Sequence, residues 1–400
     1  MPTISSLTDA ELARKKVIVR AGFDVPIEKG EVIDTARIEA IVPTMRHVLD
    51  NGAALILIAH QGRPKGTINP AFTQQPLVPV LERYLKTTVH FAPSCTGADT
   101  RAQAKRLKAG EVLLLENLRF DPREETNDAS FAEELASLGD AYVNDAFSNC
   151  HRQHASMVAL AKLLPAYMGL QLAEEVKHLS AIIDDPRRPV TLIVSGAKIE
   201  TKLPVIEYFL KKGDDILTGG AIANTFLAAR GFNVGRSKKE DAFLDKAQEL
   251  MLLGDKPELA NIHVPRDGIV ATEPSDTADA LDLSLESIGD TMAIFDVGRA
   301  SVQRYCEIIR ASGSIIWNGP LGMYEIPQFS HASIAIADAV RRATQDGALS
   351  VIGGGDTLDF HARAGLSLDS YTFASTGGGA MLDFVSGKEL PALRALARHS

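Results

Sequence analysis

Short, continuously apolar runs alternate with amphipathic stretches along almost the whole chain. In the first half KVIVR, ALILIAH, TVHFA, EVLLLEN and DAYVND read as strands, and TARIEAIVPTMRHVLD, LVPVLERYLK and ASFAEELASLG as helices. In the second half VTLIVSG, DILTGG, IHVPR, MAIFDVG, SIIWNG, SVIGGG and YTFAST read as strands. The helices there are KLPVIEYFLKKG, AIANTFLAARG, SVQRYCEIIRASG, ASIAIADAVRRATQDG and AMLDFVSG. Strands that are apolar throughout and separated by helices predict parallel sheets covered on both faces. There are too many strands for one small sheet. LQLAEEVKHLSAIIDDPRRPV, residues 170–190, reads as a helix ending in a charged, proline-containing turn, and marks the break. The expected fold is α/β, with two doubly wound parallel-sheet (Rossmann-like) domains joined by a helix. Thr8 and Glu11 have capping-box spacing and suggest a short opening helix.

Composition narrows the partners. Among 400 residues, 45% are hydrophobic and 23% charged, ordinary for a globular protein. The net charge of −9 argues against nucleic-acid binding through bulk charge. Cys95, Cys150 and Cys306 lie far apart and form no CxxC pair, so neither a disulfide framework nor a zinc site is expected. The opening MPTISSLTDAELARKK has no apolar signal region, and no apolar run approaches the ~18 residues of a membrane span. The expectation is a cytoplasmic, reduced protein with no nucleic-acid or membrane partner.

In open parallel sheets, ligands sit beyond the carboxyl ends of the strands. The residues at those strand ends differ between the two halves. In the first, Arg20 and Asp24 come after KVIV in RAGFDVP, and His60 and Arg63 lie in AHQGRP. Arg119 lies in LENLRF, His151 and Arg152 lie in NCHRQH, and Arg37 opens the first long helix. Taken singly, each reads as a solvated loop charge or a structural histidine. Recurrence at successive strand ends favours an anionic small-molecule site, because the planar guanidinium fork suits carboxylate and phosphate.

In the second half the strand ends carry glycine: SGAKIETK, GGAIANT, NGPLGMYE, GGGDT and TGGGA. Glycine lets backbone approach a ligand, and a helix N-terminus offers N–H donors to phosphate. One such cluster is a packing feature in many α/β proteins. Several of them together with Lys198 and Lys202, four apart and so on one side of a helix start, favour phosphate. Asp356 could hold Mg²⁺ and Thr357 could bond a phosphate oxygen. The P-loop pattern, GxGxxG and the protein-kinase motifs are missing.

LLLENLRF, YVNDAF with HRQHAS after it, SGAKIETK, ANTFL, IIWNGPLG, VIGGGDT and STGGGA, with IAHQGRPKG and RAGFDVP, resemble the phosphoglycerate kinase family in content and order. The likeness runs from about residue 15 to 395. It implies two α/β domains facing each other across a cleft. Residues 1–169, joined by the tail 388–400, would bind 3-phosphoglycerate or 1,3-bisphosphoglycerate. Residues 170–187 would form the interdomain helix and linker, and 188–387 would bind Mg-ADP or Mg-ATP. A monomeric, cytoplasmic enzyme of glycolysis and gluconeogenesis is implied, using Mg²⁺ and a closing, hinge-bending cleft for in-line transfer.

The resemblance also implies roles. Arg37, His60, Arg63, Arg119 and Arg152 match the family's basic substrate residues, and Asp24 sits at a substrate-contact position. Arg37 and Lys198 are expected near the phosphoryl group in transit, with Gly377, Gly378 and Gly379 at a helix start facing it. Lys202, Asn318 and Glu325 match nucleotide contacts, and Gly219 and Gly220 the adenosine side. Gly353, Gly354, Gly355, Asp356 and Thr357 match the phosphate and metal end, with Asp356 linked to the metal.

The chain departs from the family pattern in places. In the opening motif Gly22 stands at an aspartate position and Asp24 at an asparagine position. Ser195 and Ala221 replace glycines, Met381 replaces a serine, and Ser148, Asn149 and Cys150 replace a Gly-Thr-Ala run. On an extended chain residues 20, 22 and 24 would share a face. Asp24 is therefore expected to accept the substrate's hydroxyl hydrogen bond in the space Gly22 leaves, with Arg20 supporting the strand end by pairing carboxylates. Besides an active kinase, the residues admit a catalytically impaired nucleotide-binding relative used for interaction, or a phosphotransferase with another acceptor.

Overall fold

The computed structural model describes residues 4–397, so residues 1–3 and 398–400, the extremities of the opening and closing segments, lie outside the described residues. The chain divides into two compact units, Met1–Lys177 with Glu389–Ser400, and His178–Lys388. The helix Leu170–Asp184 begins in the first and ends in the second.

The first unit is built on a six-stranded sheet in the order Val89–Ala92, Val112–Leu115, Ala54–Ile58, Lys16–Ala21, Ala141–Asp145, Ala166–Met168. Every pairing is parallel. Helix Ala36–Asp50 covers one face because Ile38, Ile41, Met45 and Val48 recur at helical spacing and meet Val17, Val19, Leu55 and Leu57 in one core. Lys16–Ala21 and Ala141–Asp145 are neighbours whose outgoing connections leave in opposite directions across the sheet. That reversal opens a crevice at their carboxyl ends. The closing helix Pro391–Leu396 belongs to this unit, where Ala392 N donates to Cys150 O at 3.2 Å.

The second unit repeats the plan with Asn261–His263, Asp215–Thr218, Val190–Val194, Ser314–Asn318, Leu349–Gly353 and Phe373–Ser375, again all parallel. Its reversal lies between Val190–Val194 and Ser314–Asn318. Trp317 is fully buried there, packed on Phe360 and His361, with its indole N–H on Gly319 O at 2.8 Å. Among the described residues no helix is long and apolar enough to cross a membrane.

Several sequence expectations need correction. MAIFDVG is not a strand of the parallel sheet. Ala293–Val297 pairs antiparallel with Asp267–Ala271, which also pairs with Leu281–Ser284 in a separate three-stranded sheet. Helices Ala98–Arg106, Leu244–Gly254 and Pro391–Leu396 were not expected, although the second carries Ala247, Leu250, Met251 and Gly254 at helical spacing. The opening turn is a short 3₁₀ segment, Leu7–Asp9, boxed by Ser6 and Asp9 rather than by Thr8 and Glu11. Lys198 and Lys202 do not share a helix start, because Lys202 caps helix Leu203–Lys212 and Lys198 lies in the loop before it. Residues 20, 22 and 24 do not lie on one extended strand either, although Arg20 and Asp24 both reach His60. The strand ends at Ala21, leaving Arg20 fully buried and the Asp24 side chain 40% exposed.

Candidate functional site

The first unit gathers cations at its sheet reversal. Arg20 Nη2 meets His60 Nδ1 at 3.0 Å and Nε donates to Ser156 Oγ at 3.0 Å. Asp24 Oδ1 accepts the Gly62 amide at 2.9 Å, and its Oδ2 lies 3.7 Å from His60 Nε2. Arg119 Nη1 donates to Gly62 O at 2.7 Å, so both polar groups of Gly62 are held. The Arg119 Nε lies 3.3 Å from Glu125 Oε1 without a hydrogen-bonding angle. The Gln61 side chain closes on the Val25 N–H and C=O, locking the His60–Arg63 turn to the segment after the first strand. Arg37, exposed at the start of its helix, donates to Asp24 O at 2.5 Å.

Electrostatics reflect this crowding. Burial lowers His60 well below the usual histidine range, and Arg20, Arg119, His154 and Arg152 push the same way. His154 falls to about 3 for the same reasons, burial first. Neutral imidazoles among arginines make a site for anions that keeps one charge state across neutral pH. Arg152 is half-buried within electrostatic reach of His60 and Arg119. Arg63 is exposed, and among the described residues no contact ties it to the network.

In the second unit a cavity of about 580 Å³ is lined by Gly196, Gly220, Asn224, Leu321, Glu325 and Asp356, among others. Its size suits a nucleotide-sized ligand. Lys202 Nζ donates to Asn318 Oδ1, and Asn318 Nδ2 donates to Gly353 O at 2.7 Å. Burial lowers Lys202 to about 8, against the pull of Asp356. The Thr357 hydroxyl donates to Gly353 O at 2.9 Å and accepts the Gly319 amide at 2.8 Å. Both Asn318 and Thr357 are buried, and their side chains brace the turn. Without ligand, the Thr357 hydroxyl proton is engaged by Gly353 O.

Helix Gly355–Arg363 starts at this turn, with amides of its first turn outside the helix's own ladder. Gly354 has φ +103°, and a Cβ there would lie 2.6 Å from Asn318 Nδ2. Gly355 is exposed, with nothing within 4 Å of a Cβ built there. Asp356 is exposed in the first turn of that helix. Gly377, Gly378 and Gly379 lead into helix Gly379–Val385, with Gly378 at φ +53° and open space beside it. Lys198 is exposed in its loop.

Gly219 and Gly220 sit where packing leaves no room for a side chain. Their amides go to Val194 O and Leu321 O, and a Cβ on either would meet Ser195 Oγ at 2.9 Å. They make room for Ser195, whose hydroxyl donates to Pro320 O at 2.6 Å, and only Gly220 of the two lines the cavity. Another departure has a similar account: the Met381 sulfur fills the space at Gly353, where a Cβ would lie 2.4 Å from it. Gly22 is not sterically required, since a Cβ there would meet Ala146 and Ser148 only at 3.7 Å.

Asp267, Asp296, Arg236 and Lys238 line the cavity and were missed. Burial raises Asp296 to about 8, while it caps helix His331–Gln345 through the Ala332 amide at 2.9 Å. The signal lay in the aspartates of PRDGIVA and MAIFDVG, hidden while both segments lacked their antiparallel pairing.

Comparison with known proteins accords with this geometry. The phosphoglycerate kinase family profile matches residues 7–388. The chain is similar to "Phosphoglycerate kinase" of Chlorobaculum tepidum, 42% identical over 395 residues and covering 98% of each chain. It is also similar to "Phosphoglycerate kinase" of Moorella thermoacetica, 41% identical over 391 residues and covering 98% of each. Among solved structures, phosphoglycerate kinase from Coxiella burnetii matches with a TM-score of 0.89 at 34% identity, over 99% of both chains. The enzyme from Pyrococcus horikoshii matches with a TM-score of 0.86 at 31% identity, over 98% of both. On residues matched, identity and fold alike, the chain belongs to the phosphoglycerate kinase family.

Proposed function

We propose that the chain, a kinase of this family, catalyses reversible phosphoryl transfer between 1,3-bisphosphoglycerate and Mg-ADP, giving 3-phosphoglycerate and Mg-ATP. The observation that carries this reading is the pairing of two unlike anion sites in one chain. One is a buried arginine–histidine network at the reversal of the first sheet, and the other is a glycine-turn cavity at the reversal of the second. The first suits a small carboxylate and phosphate, the second a nucleotide.

An acyl phosphate is already reactive, so little covalent help is needed. The chain must align two polyanions and neutralise the charge on the phosphoryl group in transit. In this reading His60, Arg63, Arg119 and Arg152 hold the glycerate, with Asp24 setting the turn that presents them. Arg37 and Lys198, exposed cations, meet the moving group, with the amides at Gly377, Gly378 and Gly379. Gly219, Gly220 and Glu325 shape the nucleoside end, and Gly353, Gly354, Gly355 and Thr357 the phosphate turn, with Lys202 braced by Asn318.

The residues fit Mg²⁺ carried with the nucleotide. Asp356 offers an exposed carboxylate on the cavity wall, and the described residues hold no cluster of three metal ligands, which suits an ion that takes one carboxylate and substrate phosphates. When bound, Mg²⁺ would neutralise phosphate charge. Both sites lie in one chain, so the chemistry needs no second copy, and a monomer in the cytoplasm, where adenine nucleotides turn over, is the working form.

A coupled assay with ATP and 3-phosphoglycerate tests the reading. Turnover is expected. Its absence at saturating substrates, with Mg-ADP still bound, would refute it in favour of a non-catalytic relative, and turnover with a different acceptor alone would reassign the substrate.

A further inference from the structure

Arg20 lies one residue from the end of its strand, and its register partner on the adjacent strand is Ile58, two residues before His60. Strand alternation therefore brings the guanidinium and the imidazole to one place. Arg20 Nη2 is 3.0 Å from His60 Nδ1, Nη1 donates to Ala21 O, and Nε donates to Ser156 Oγ at 3.0 Å. A guanidinium has donors only and keeps its charge in proteins. His60 Nδ1 must then be the acceptor, which leaves the ring proton on Nε2.

The network has a direction beyond Arg20 as well. Because Ser156 Oγ accepts the Arg20 Nε–H bond, it donates its own hydroxyl hydrogen bond to Glu124 Oε1, at 2.6 Å. Glu124 Oε2 takes the Ser156 amide at 2.9 Å, and Tyr142 Oη holds Ser156 O at 2.7 Å. Glu124 is fully buried and accepts at both oxygens, as a carboxylate opposite a buried guanidinium should.

We propose that Arg20, anchored by Ser156 and Glu124, is a positioning residue that fixes His60 as the neutral Nε2–H tautomer, aiming one donor at an acceptor oxygen of the bound phosphoglycerate. This rests on the reading of His60 as part of the glycerate site. The groups facing His60 act together: Arg20, Arg119, Arg152 and His154 oppose a further proton, and Asp24, 3.7 Å from Nε2, is the carboxylate on the other side. Protonation at Nδ1 would also set two donors against each other and break the bond to Arg20. His60 then contributes a fixed dipole to binding, with no charge change between about pH 5 and 8.

The test is nitrogen NMR on the full chain labelled with ¹⁵N-histidine, without substrate, with His60 assigned by its loss in His60→Gln. The expected spectrum has a pyrrole-type Nε2 and a pyridine-type Nδ1, unchanged between about pH 5 and 8. A pyrrole-type Nδ1, or titration near the ordinary value of about 6.5, overturns the proposal. Arg20→Gln, whose amide can donate or accept, is expected to mix the tautomers and make the KM for 3-phosphoglycerate pH-dependent in that window. Arg20→Lys, a donor-only cation, is expected to restore the wild-type spectrum. A flat KM profile in Arg20→Gln overturns the link to substrate. Should that variant fail to fold, the wild-type spectrum still decides the tautomer. The spectrum is read without ligand, so a failure of 3-phosphoglycerate to bind would count against the functional reading and leave the tautomer result standing.

Discussion

The two units reach anions by opposite means. In the first the positive charge sits on side chains, and three of its cations are held by partners: Arg20 by Ser156 and His60, Arg119 by Gly62, Arg37 by the Asp24 carbonyl. In the second much of the site is main chain, at turns where Gly354 and Gly378 have positive φ. Long charged side chains must be immobilised before they can discriminate, so the first unit carries a dense buried polar network. Backbone donors come already fixed but require the absence of a side chain. One site should fail when a charge is removed, the other when a methyl group is added.

The largest effect is expected from Arg37→Ala. Steady-state kinetics should show kcat down on the order of 10²–10³-fold, while calorimetry shows ADP affinity unchanged. A parallel loss of ADP affinity would break the division of labour. Next comes Gly354→Ala, with φ +103° and a contact of 2.6 Å to Asn318 Nδ2. Strain of about 1–3 kcal/mol is expected to weaken ADP binding, with KM for 3-phosphoglycerate unmoved. The neighbouring Gly355→Ala has open space and should stay within about 0.5 kcal/mol of wild type in thermal unfolding. If both alanines behaved alike, the turn would not need its glycine for the reason given.

Asp356→Asn should weaken ADP binding about tenfold in Mg²⁺, roughly 1.4 kcal/mol, and hardly at all in EDTA. An equal loss in both would separate Asp356 from the metal. A smaller effect concerns pH. Burial sets Lys202 at about 8, so its ammonium is present below that value and lost above it. ADP affinity should fall several-fold between about pH 7 and 9, and Lys202→Arg, charged throughout, should flatten the profile. The smallest change is Asp128→Ala, which removes the cap on helix Ala129–Ala136, where Asp128 accepts the Phe131 amide at 3.1 Å. It should lower the denaturant midpoint only slightly and leave both ligand affinities in place, which makes it the control for stability effects in the first unit.

How far the sites were legible in sequence depends on how local their cause is. Glycine at a strand-to-helix turn is a local requirement, and VIGGGDT announced its turn because Gly354 needs a backbone that other residues resist. RAGFDVP was half legible. Arg20, expected to pair carboxylates, does so only through Ser156, which lies 136 positions away. Asp24, expected to take the substrate's hydroxyl bond, has one carboxylate oxygen on the Gly62 amide. Thr357 and Asn318, expected as ligand contacts, also brace the turn, a role sequence did not show, because polar side chains buried beside main-chain groups bond them.

The doubly wound parallel sheets, the arginine-rich and glycine-rich character of the two halves, and the family were all legible before folding was considered. These rest on apolar periodicity, on the conformational demands of glycine and on ordered motifs, all written along the chain. Tertiary structure decided the rest. It removed MAIFDVG to an antiparallel sheet that brings Asp296 to the cavity wall. It set the His60 ring against a guanidinium 40 residues away. Burial, the direction of a hydrogen bond and the charge of an imidazole depend on neighbours that only the folded chain supplies.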